Sequence, residues 1–299
     1  MARACRWCLV VGVIAAMAGW TLAAEKINVL IIDGQNNHNW KATTPVLKEM
    51  LLKSERFNVD VVTTPPKAPP KPSEEAAADI KAAWEKFRPD PSKYGVVLMN
   101  YTGDAWPKEV NDAFEKYVQA GGGLVFYHAA VFSMPGWGEW DKMMAMGWHD
   151  AKFGDRVHLD DEGKLVRVPK GEGPGGGHGP AQPFEVTIRV KDHPITKGLP
   201  EKWQHVKDEL YHGMRGPAEN MAILATAFSD KTKGGTGCHE PMAWTVSYGK
   251  GRVYVCLLGH DAKVLEAPDC QALIPRGCEW AATGEVTLPA PEGLSAAPR

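Results

Sequence analysis

Over the first 130 residues, short apolar runs alternate with amphipathic segments. Four runs rich in β-branched residues, Leu and other apolar residues predict buried strands at 26–32, 57–63, 94–99 and 124–127. The segments between them have the apolar spacing of helices, at 45–53, 73–87 and 107–120. Unbroken apolar runs are typical of parallel strands that are covered on both faces. The alternation therefore predicts an α/β fold, a flavodoxin-like, doubly wound and mainly parallel sheet.

After residue 130 the pattern changes. A short helix is predicted at 137–146 and a last helix at 269–282, with strands between them at 184–190, 221–228, 242–248 and 252–258. Gly249-Lys250-Gly251 separates the last two strands and predicts a C-terminal β-hairpin added to the sheet. Gly171–Pro180 is so rich in glycine that we expect a flexible loop, and this loop carries His178.

Both ends of the chain are predicted to lie outside the folded domain. Residues 1–24 have a basic start, an apolar run at 7–20 and small residues before Glu25, which predicts a signal peptide. We therefore expect a periplasmic or secreted protein, tethered to the membrane only if this segment is not cleaved, and no stable membrane span after cleavage. Residues 25–284 form the predicted domain, and the Pro- and Ala-containing stretch 285–299 is predicted to be a disordered tail.

Composition narrows the choice of ligand. The formal net charge of −2 over 299 residues gives no electrostatic argument for nucleic acid binding. Eleven Trp and ten His residues suit a small sugar-like ligand, because aromatic rings beside polar groups are typical of such sites. Among the cysteines after residue 24, Cys270 and Cys278 are the nearest pair and the candidate disulfide of an exported protein.

Polar side chains follow several predicted strands at the points where those strands end. The Gly121–Gly123 triplet leads into an apolar run that ends at His128, and a later run ends at His260. Because the carboxyl ends of parallel strands meet at one edge of a sheet, we expect these side chains to converge. The other polar residues at such positions are Asp33, His38, Asp208, Glu209, Tyr211, Glu240 and Asp261.

A group of histidines and carboxylates supports two kinds of chemistry. One is general acid–base catalysis, in which His or a carboxylate transfers a proton. The other is a divalent metal site, since neutral imidazole and carboxylate are both metal ligands. The sequence leaves both open, with His38, His128 and His260 as the candidate metal ligands.

Nucleophilic catalysis has little support in the sequence. There is no G-x-S-x-G motif for a serine nucleophile. Cys238, His239 and Glu240 are consecutive, and adjacent side chains do not generally face one another as a catalytic pair requires. Gly121–Gly123 precedes a strand rather than a helix, so it is not a phosphate-binding loop.

Several motifs resemble those of one known family. With the closing helix they span residues 26–282, and they read KINVLIIDGQNNHNW, GGGLVFYHAA, HPITKGLP, DELYHG and EPMAWTVSYGKGRVYVCLLGHD. The chain is similar to the ThuA-like (trehalose utilisation) proteins of the class I glutamine amidotransferase-like superfamily. That resemblance implies a flavodoxin-like fold and a role in sugar metabolism. Amidotransferases of the superfamily have a cysteine nucleophile where this chain has His128, so glutaminase activity is not expected.

The resemblance also implies roles for particular residues. We expect an exported protein that acts on a sugar or 3-keto-sugar glycoside by acid–base or metal-assisted chemistry. Because Asp208 and Glu209 are adjacent, at most one of them is expected to transfer a proton. The alternative is a non-catalytic sugar-binding protein with the same pocket. The expected catalytic residues are His128, Asp208, Glu209 and His260, and the expected substrate-binding residues are His38, Trp40, Tyr211, Glu240 and Trp244.

Overall fold

The computed structural model describes residues 25–132, 134, 136–291 and 293–294, so the predicted signal peptide at 1–24 lies outside the described residues. None of the helices in the described part of the chain is long and apolar enough to cross a membrane. These helices are α1 (Trp40–Lys53), α2 (Glu74–Lys86), α3 (Lys108–Gln119), α4 (Gly138–Met144) and α5 (Pro268–Thr283). The strands are β1 (Ile27–Asp33), β2 (Phe57–Thr63), β3 (Val96–Met99), β4 (Gly123–Tyr127), β5 (Arg156–Leu159), β6 (Leu165–Val168), β7 (Gly177–His178), β8 (Gln182–Ile188), β9 (Lys202–Asp208), β10 (Tyr211–His212), β11 (Met221–Ser229), β12 (Cys238–Tyr248) and β13 (Gly251–Cys256).

One mixed sheet organises the domain, in the order β2-β1-β3-β4-β13-β12-β11-β8-β9. The first five strands in this order are parallel to one another. The remaining four continue the sheet with antiparallel pairing. The predicted flavodoxin-like α/β fold is confirmed. Strands β12 and β13 pair antiparallel, with Tyr248 opposite Gly251 across the intervening turn.

Helices cover both faces of the parallel part of the sheet. On β4, a Cβ atom added to Gly123 would lie 2.6 Å from the backbone of Ala281 in α5. Phe126 of the same strand instead contacts Trp140 of α4, with ring centroids 4.8 Å apart. Residues 123 and 126 point to opposite faces of a strand, so α4 and α5 lie on opposite sides of the sheet. This double covering explains why β1, β3 and β4 read as unbroken apolar runs.

Helix α1 begins five residues earlier than predicted, at Trp40 rather than Pro45. Asn39 is its N-cap, and the Asn39 side chain accepts a hydrogen bond from the amide of Ala42 at 3.3 Å. Thr43 and Thr44 lie inside the helix, where their hydroxyl groups accept hydrogen bonds from Asn100. The helix was predicted to start at Pro45 because proline commonly occupies the first turn of a helix. That start was wrong, since Pro45 lies deeper in the helix.

The glycine-rich segment 171–180 is held against the domain, which contradicts the predicted flexible loop. Its residues Gly177 and His178 form β7, which pairs with Tyr211 and His212 of β10. The fully buried guanidinium group of Arg215 donates to main-chain oxygens of Pro169, Glu172 and Pro174. The glycines serve close packing, and these hydrogen bonds fix the segment in place.

The expected disulfide between Cys270 and Cys278 is absent, and all four described cysteines are free thiols. Both residues belong to α5, eight positions apart. A helix rises about 1.5 Å per residue, which separates their Cα atoms by about 12 Å, whereas a disulfide requires less than about 7 Å. Proximity in sequence therefore misled the prediction.

Residues 286–288 contact the core, although 285–299 was predicted to be a disordered tail. The amides of Thr287 and Leu288 donate to the carboxylate of Glu279 at 2.9 and 3.0 Å. Glu279 is fully buried on α5 and also pairs with Arg56 at 2.8 Å. A buried carboxylate requires such partners, and the first tail residues supply two of them. Residues 292 and 295–299 lie outside the described part of the chain.

Candidate functional site

His128 follows β4 directly and has a backbone φ of +43°, which is a strained value for a residue with a side chain. Its Nδ1 lies 2.6 Å from the main-chain oxygen of Leu257, which follows the neighbouring strand β13. Since a carbonyl can only accept, Nδ1 carries the proton and Nε2 of the neutral ring has a free lone pair. The end of the parallel sheet thus presents Nε2 of His128 in a fixed direction.

Glu209 lies directly after β9 and brings the other candidate residues together. Its Oε2 lies 3.0 Å from Nδ1 of His260, and 3.7 Å from Nε2 of both His38 and His128. Its Oε1 lies 3.7 Å from Nε2 of His178. One carboxylate is therefore surrounded by four imidazole rings, three of which the sequence analysis had proposed as metal ligands.

Several nitrogen and oxygen atoms that face the centre of this cluster receive no hydrogen bond from the described residues. Nδ1 of His38 lies 3.0 Å from Oδ1 of Asn37, which favours a proton on Nδ1 and leaves Nε2 as an acceptor, as in His128. Among the described residues, His128 Nε2, His260 Nδ1 and Glu209 Oε2 are buried without a hydrogen-bond partner. His260 Nδ1 and Glu209 Oε2 are close, but they are not aligned for a hydrogen bond. Acceptors directed at one another repel unless a proton or a cation lies between them.

This arrangement fits a divalent metal ion. One ligand atom from each of His38, His128, Glu209 and His260 lies within 4.8 Å of all the others. Three imidazole nitrogens and one carboxylate oxygen suit zinc, iron and related ions. The hydrogen bond from His128 Nδ1 to a main-chain oxygen is the outer contact that metal-binding histidines commonly make, because it fixes the tautomer.

The cluster shifts the acidity of its neighbours. Burial alone would raise the pKa of Glu209, but His128, His38 and the other two histidines around the carboxylate outweigh it, so this pKa lies well below its usual range. Burial and the nearby carboxylate of Glu209 raise the pKa of Tyr211. Glu209 is therefore an anion and Tyr211 a neutral phenol, with its ring 4.4 Å from that of His128.

Asp208 points away from the cluster, although it was proposed as a catalytic residue. Its two oxygens accept hydrogen bonds from the amides of Glu209, Gly259 and His260 at 2.8, 2.8 and 3.2 Å. Its Oδ2 also lies 3.0 Å from Nε2 of His205. Asp208 thus fixes the backbone of two cluster residues, and of the two adjacent carboxylates Glu209 is the one that faces the cluster.

Two residues proposed for substrate binding lie elsewhere in the fold. Glu240 is buried in β12, where its carboxylate pairs with Arg156 and accepts from the amide of Gly213 at 3.1 Å. Trp244 is also buried in β12, and its indole donates to the main-chain oxygen of Met144 at 2.8 Å. These side chains point into the antiparallel part of the sheet and the core, so the structure does not bring them to the cluster.

One cavity lies beside the loop that carries His38, and a second is lined in part by a residue of the cluster. A groove of about 960 Å³ includes Asn37, Trp40 and Phe132 in its lining, together with charged side chains such as Lys67 and Asp104. A second cavity of about 650 Å³ is lined in part by Asp208 and His260. Trp40 therefore lines the first of these cavities, beside the loop that carries His38.

Sequence reasoning missed His178, which the structure places at the cluster. Its position inside a glycine-rich segment gave no strand-end signal, and the segment lies outside the motifs shared with the resembled family. The pairing of β7 with β10 brings it beside Tyr211, with ring centroids 5.8 Å apart. A single histidine among glycines was the only sequence signal available.

The mixed sheet with helices on both faces of its parallel part, and a histidine at positive φ directly after β4, define an α/β protein. The chain belongs to the ThuA family, described as trehalose utilisation, which its sequence matches over residues 28–281. The family resemblance stated from the motifs is confirmed.

Among the crystal structures similar to this chain are those of two ThuA-like proteins. A ThuA-like protein from Parabacteroides merdae ATCC 43184 is 41% identical, with a TM-score of 0.80 and coverage of 91% of this chain and 95% of that protein. A ThuA-like protein from Bacteroides uniformis ATCC 8492 is 20% identical, with a TM-score of 0.54 and coverage of 89% and 95%, and this likeness concerns the fold alone. No curated protein gives a significant match.

Proposed function

We propose that this chain is an exported enzyme of carbohydrate metabolism that acts on a sugar or 3-keto-sugar glycoside with a divalent metal ion. His38, His128, Glu209 and His260 would hold the ion. The main support for this proposal is that His128 Nε2, His260 Nδ1 and Glu209 Oε2 lie close together. Within the described part of the chain, these buried atoms have no hydrogen-bond partner. Membership of the trehalose utilisation family supports a carbohydrate as the substrate.

A bound divalent ion supplies Lewis acidity, which polarises a carbonyl or hydroxyl oxygen. The residues around it contribute the remaining chemistry. Tyr211 keeps its proton, because burial and Glu209 raise its pKa, so its hydroxyl group can donate a hydrogen bond to a substrate oxygen. His128 is held in one orientation by Leu257, which prepares its Nε2 before a ligand arrives.

Glutaminase activity is not part of the proposed function. A cysteine nucleophile would be required at the position of His128, and the described cysteines other than Cys238 are buried. Burial raises the pKa of the Cys256, Cys270 and Cys278 thiols, which disfavours the reactive thiolate.

The second candidate is a non-catalytic sugar-binding protein. The groove beside the cluster favours it, because Trp40 and Phe132 offer aromatic surface next to polar and charged groups. This candidate requires no metal and predicts that binding of sugars tolerates changes at Glu209.

The test combines metal analysis with an assay on 3-keto-disaccharides. Protein purified without added chelator should contain about one divalent ion per chain and should lose turnover when the ion is removed. Glu209→Gln should lose both the ion and turnover, whereas Glu162→Gln, at an exposed acidic residue, should keep both. Sugar binding without turnover in the metal-loaded protein would favour the second candidate.

Export is a separate part of the proposal and rests on residues 1–24. N-terminal sequencing of protein from the periplasmic fraction should begin near Glu25. Recovery of the intact N-terminus from the cytoplasm would refute it.

A further inference from the structure

The two carboxylate oxygens of Glu209 have different surroundings. Oε2 faces His38, His128 and His260 and is buried. Oε1 faces His178, whose Nε2 is 3.7 Å away, which is too far for a direct hydrogen bond. His178 and His260 are the most exposed of the four histidines, at 36% and 32% of their side chains against 1% for His128. A ligand from solvent can therefore reach the Oε1 side of the carboxylate.

The ring of His178 is fixed in its orientation. Its Nδ1 lies 2.7 Å from the main-chain oxygen of Gly179, so Nδ1 carries the proton and neutral Nε2 is an acceptor. The ring stacks on Tyr211 at an interplanar angle of 23°, and the backbone of His178 pairs with that of Tyr211. Two acceptors, His178 Nε2 and Glu209 Oε1, are consequently held side by side.

We propose that His178 is a substrate-binding residue, in which Nε2 accepts a hydrogen bond from one sugar hydroxyl group while Glu209 Oε1 accepts from the neighbouring hydroxyl group. This assignment rests on the proposed carbohydrate function and specifies it further. Adjacent hydroxyl groups on a sugar ring each offer one donor in a fixed relation to the other, which matches a rigid pair of acceptors. The substrate must then carry two free neighbouring hydroxyl groups.

The glycine-rich segment explains how His178 reaches this position. A Cβ atom on Gly175 would lie 2.8 Å from the backbone of residues 149 and 150, and one on Gly179 would lie 2.1 Å from the main-chain oxygen of Lys233. Only glycine permits these approaches, and Arg215 fixes the preceding residues through their carbonyl groups. The segment therefore presents a substrate-binding histidine from a rigid backbone.

Calorimetric titration of the mature, Zn²⁺-loaded protein tests this assignment. The probes are trehalose, 3-keto-trehalose and their monodeoxy derivatives. His178→Ala should weaken binding about tenfold, as the loss of one hydrogen bond implies. His178→Gln should retain most of the affinity, because its amide oxygen can accept. His239→Ala, at a partly exposed histidine with no contact to the cluster, is the matched control and should bind as the wild type does.

The monodeoxy probes supply a readout that a purely structural role would not change. The derivative that lacks the hydroxyl group facing His178 should bind the wild type and His178→Ala with equal affinity. Equal binding of all probes by both proteins would overturn the assignment while leaving the carbohydrate function intact. Loss of the metal ion in His178→Ala would also overturn it, by making His178 a metal ligand. If the wild type binds none of the sugars, the proposed function fails together with this assignment.

Discussion

The stability of the protein should fall at alkaline pH, because a buried histidine outside the cluster loses its proton there. His205 in β9 lies between two carboxylates, with Nε2 3.0 Å from Asp208 and Nδ1 2.5 Å from Asp269. Burial would lower the pKa of His205, but these two carboxylates outweigh burial and raise it to about 9. The imidazolium ion thus supports Asp208, which in turn fixes the backbone of Glu209 and His260.

The sign and the size of the effect follow from this pKa. The folded protein holds the His205 proton up to a pH of about 9, whereas an unfolded chain releases it near 6.5. The stabilisation is therefore complete below pH 6.5 and is lost as the pH rises to 9. A pKa difference of about 2.5 corresponds to about 3 kcal/mol, because each pKa unit is worth about 1.4 kcal/mol.

Urea denaturation between pH 6 and 10 measures this loss. Buried thiols also lower stability above about pH 8, so the useful quantity is the difference between the wild type and His205→Gln, which has no group to titrate. That difference should shrink by about 3 kcal/mol across the window. NMR titration of the His205 ring in the wild type gives the pKa directly and does not require the variant to fold. Parallel stability curves, or a pKa at or below 6.5, would refute the reasoning.

Four further substitutions have distinct expected outcomes. Asp208→Asn should lower metal affinity by about 10- to 100-fold in a chelator competition, since it loosens the backbone of two ligands, and unchanged affinity would contradict that role. Glu240→Ala should lower the free energy of unfolding in urea by about 3–5 kcal/mol, because it leaves Arg156 buried and unpaired, while metal content stays at the wild-type level. Trp244→Ala should cost about 3–5 kcal/mol through the cavity it creates, whereas Trp40→Ala should weaken sugar binding with little change in melting temperature. Equal effects of the two tryptophan changes on stability would show that Trp40 is also a core residue.

Much of the fold could be predicted because its signals are local. The apolar runs of β1, β3 and β4 reflect burial on both faces, and the amphipathic spacing of α3 reflects burial on one face. The errors were also local. Pro45 was taken as the start of α1, whereas Asn39 is the N-cap of this helix. The hydrogen bonds that set the start of the helix cannot be read from a residue pattern.

The site was predicted only in part, because chain order does not show which way a side chain points. His38, His128 and His260 were identified as strand-end residues, and they converge. Glu240 and Trp244 were assigned to the site by their place in a motif, but β12 turns both into the interior. The sequence could not distinguish the residues that reach the site from those that do not, because all five lie within strands of the same sheet or near the ends of these strands.

By itself, the sequence determined the alternation of strands and helices, the family and the position of His128 at the end of an apolar strand. Those properties depend on residues within one segment. Only the tertiary structure decided that Glu209 faces the cluster while Asp208 supports it, and that His178 enters the site from a glycine-rich segment. These outcomes depend on contacts of the residues after β9 with those after β4 and β13, and on the pairing of β7 with β10. Such long-range contacts set the direction of a side chain, and that direction distinguishes a ligand from a core residue.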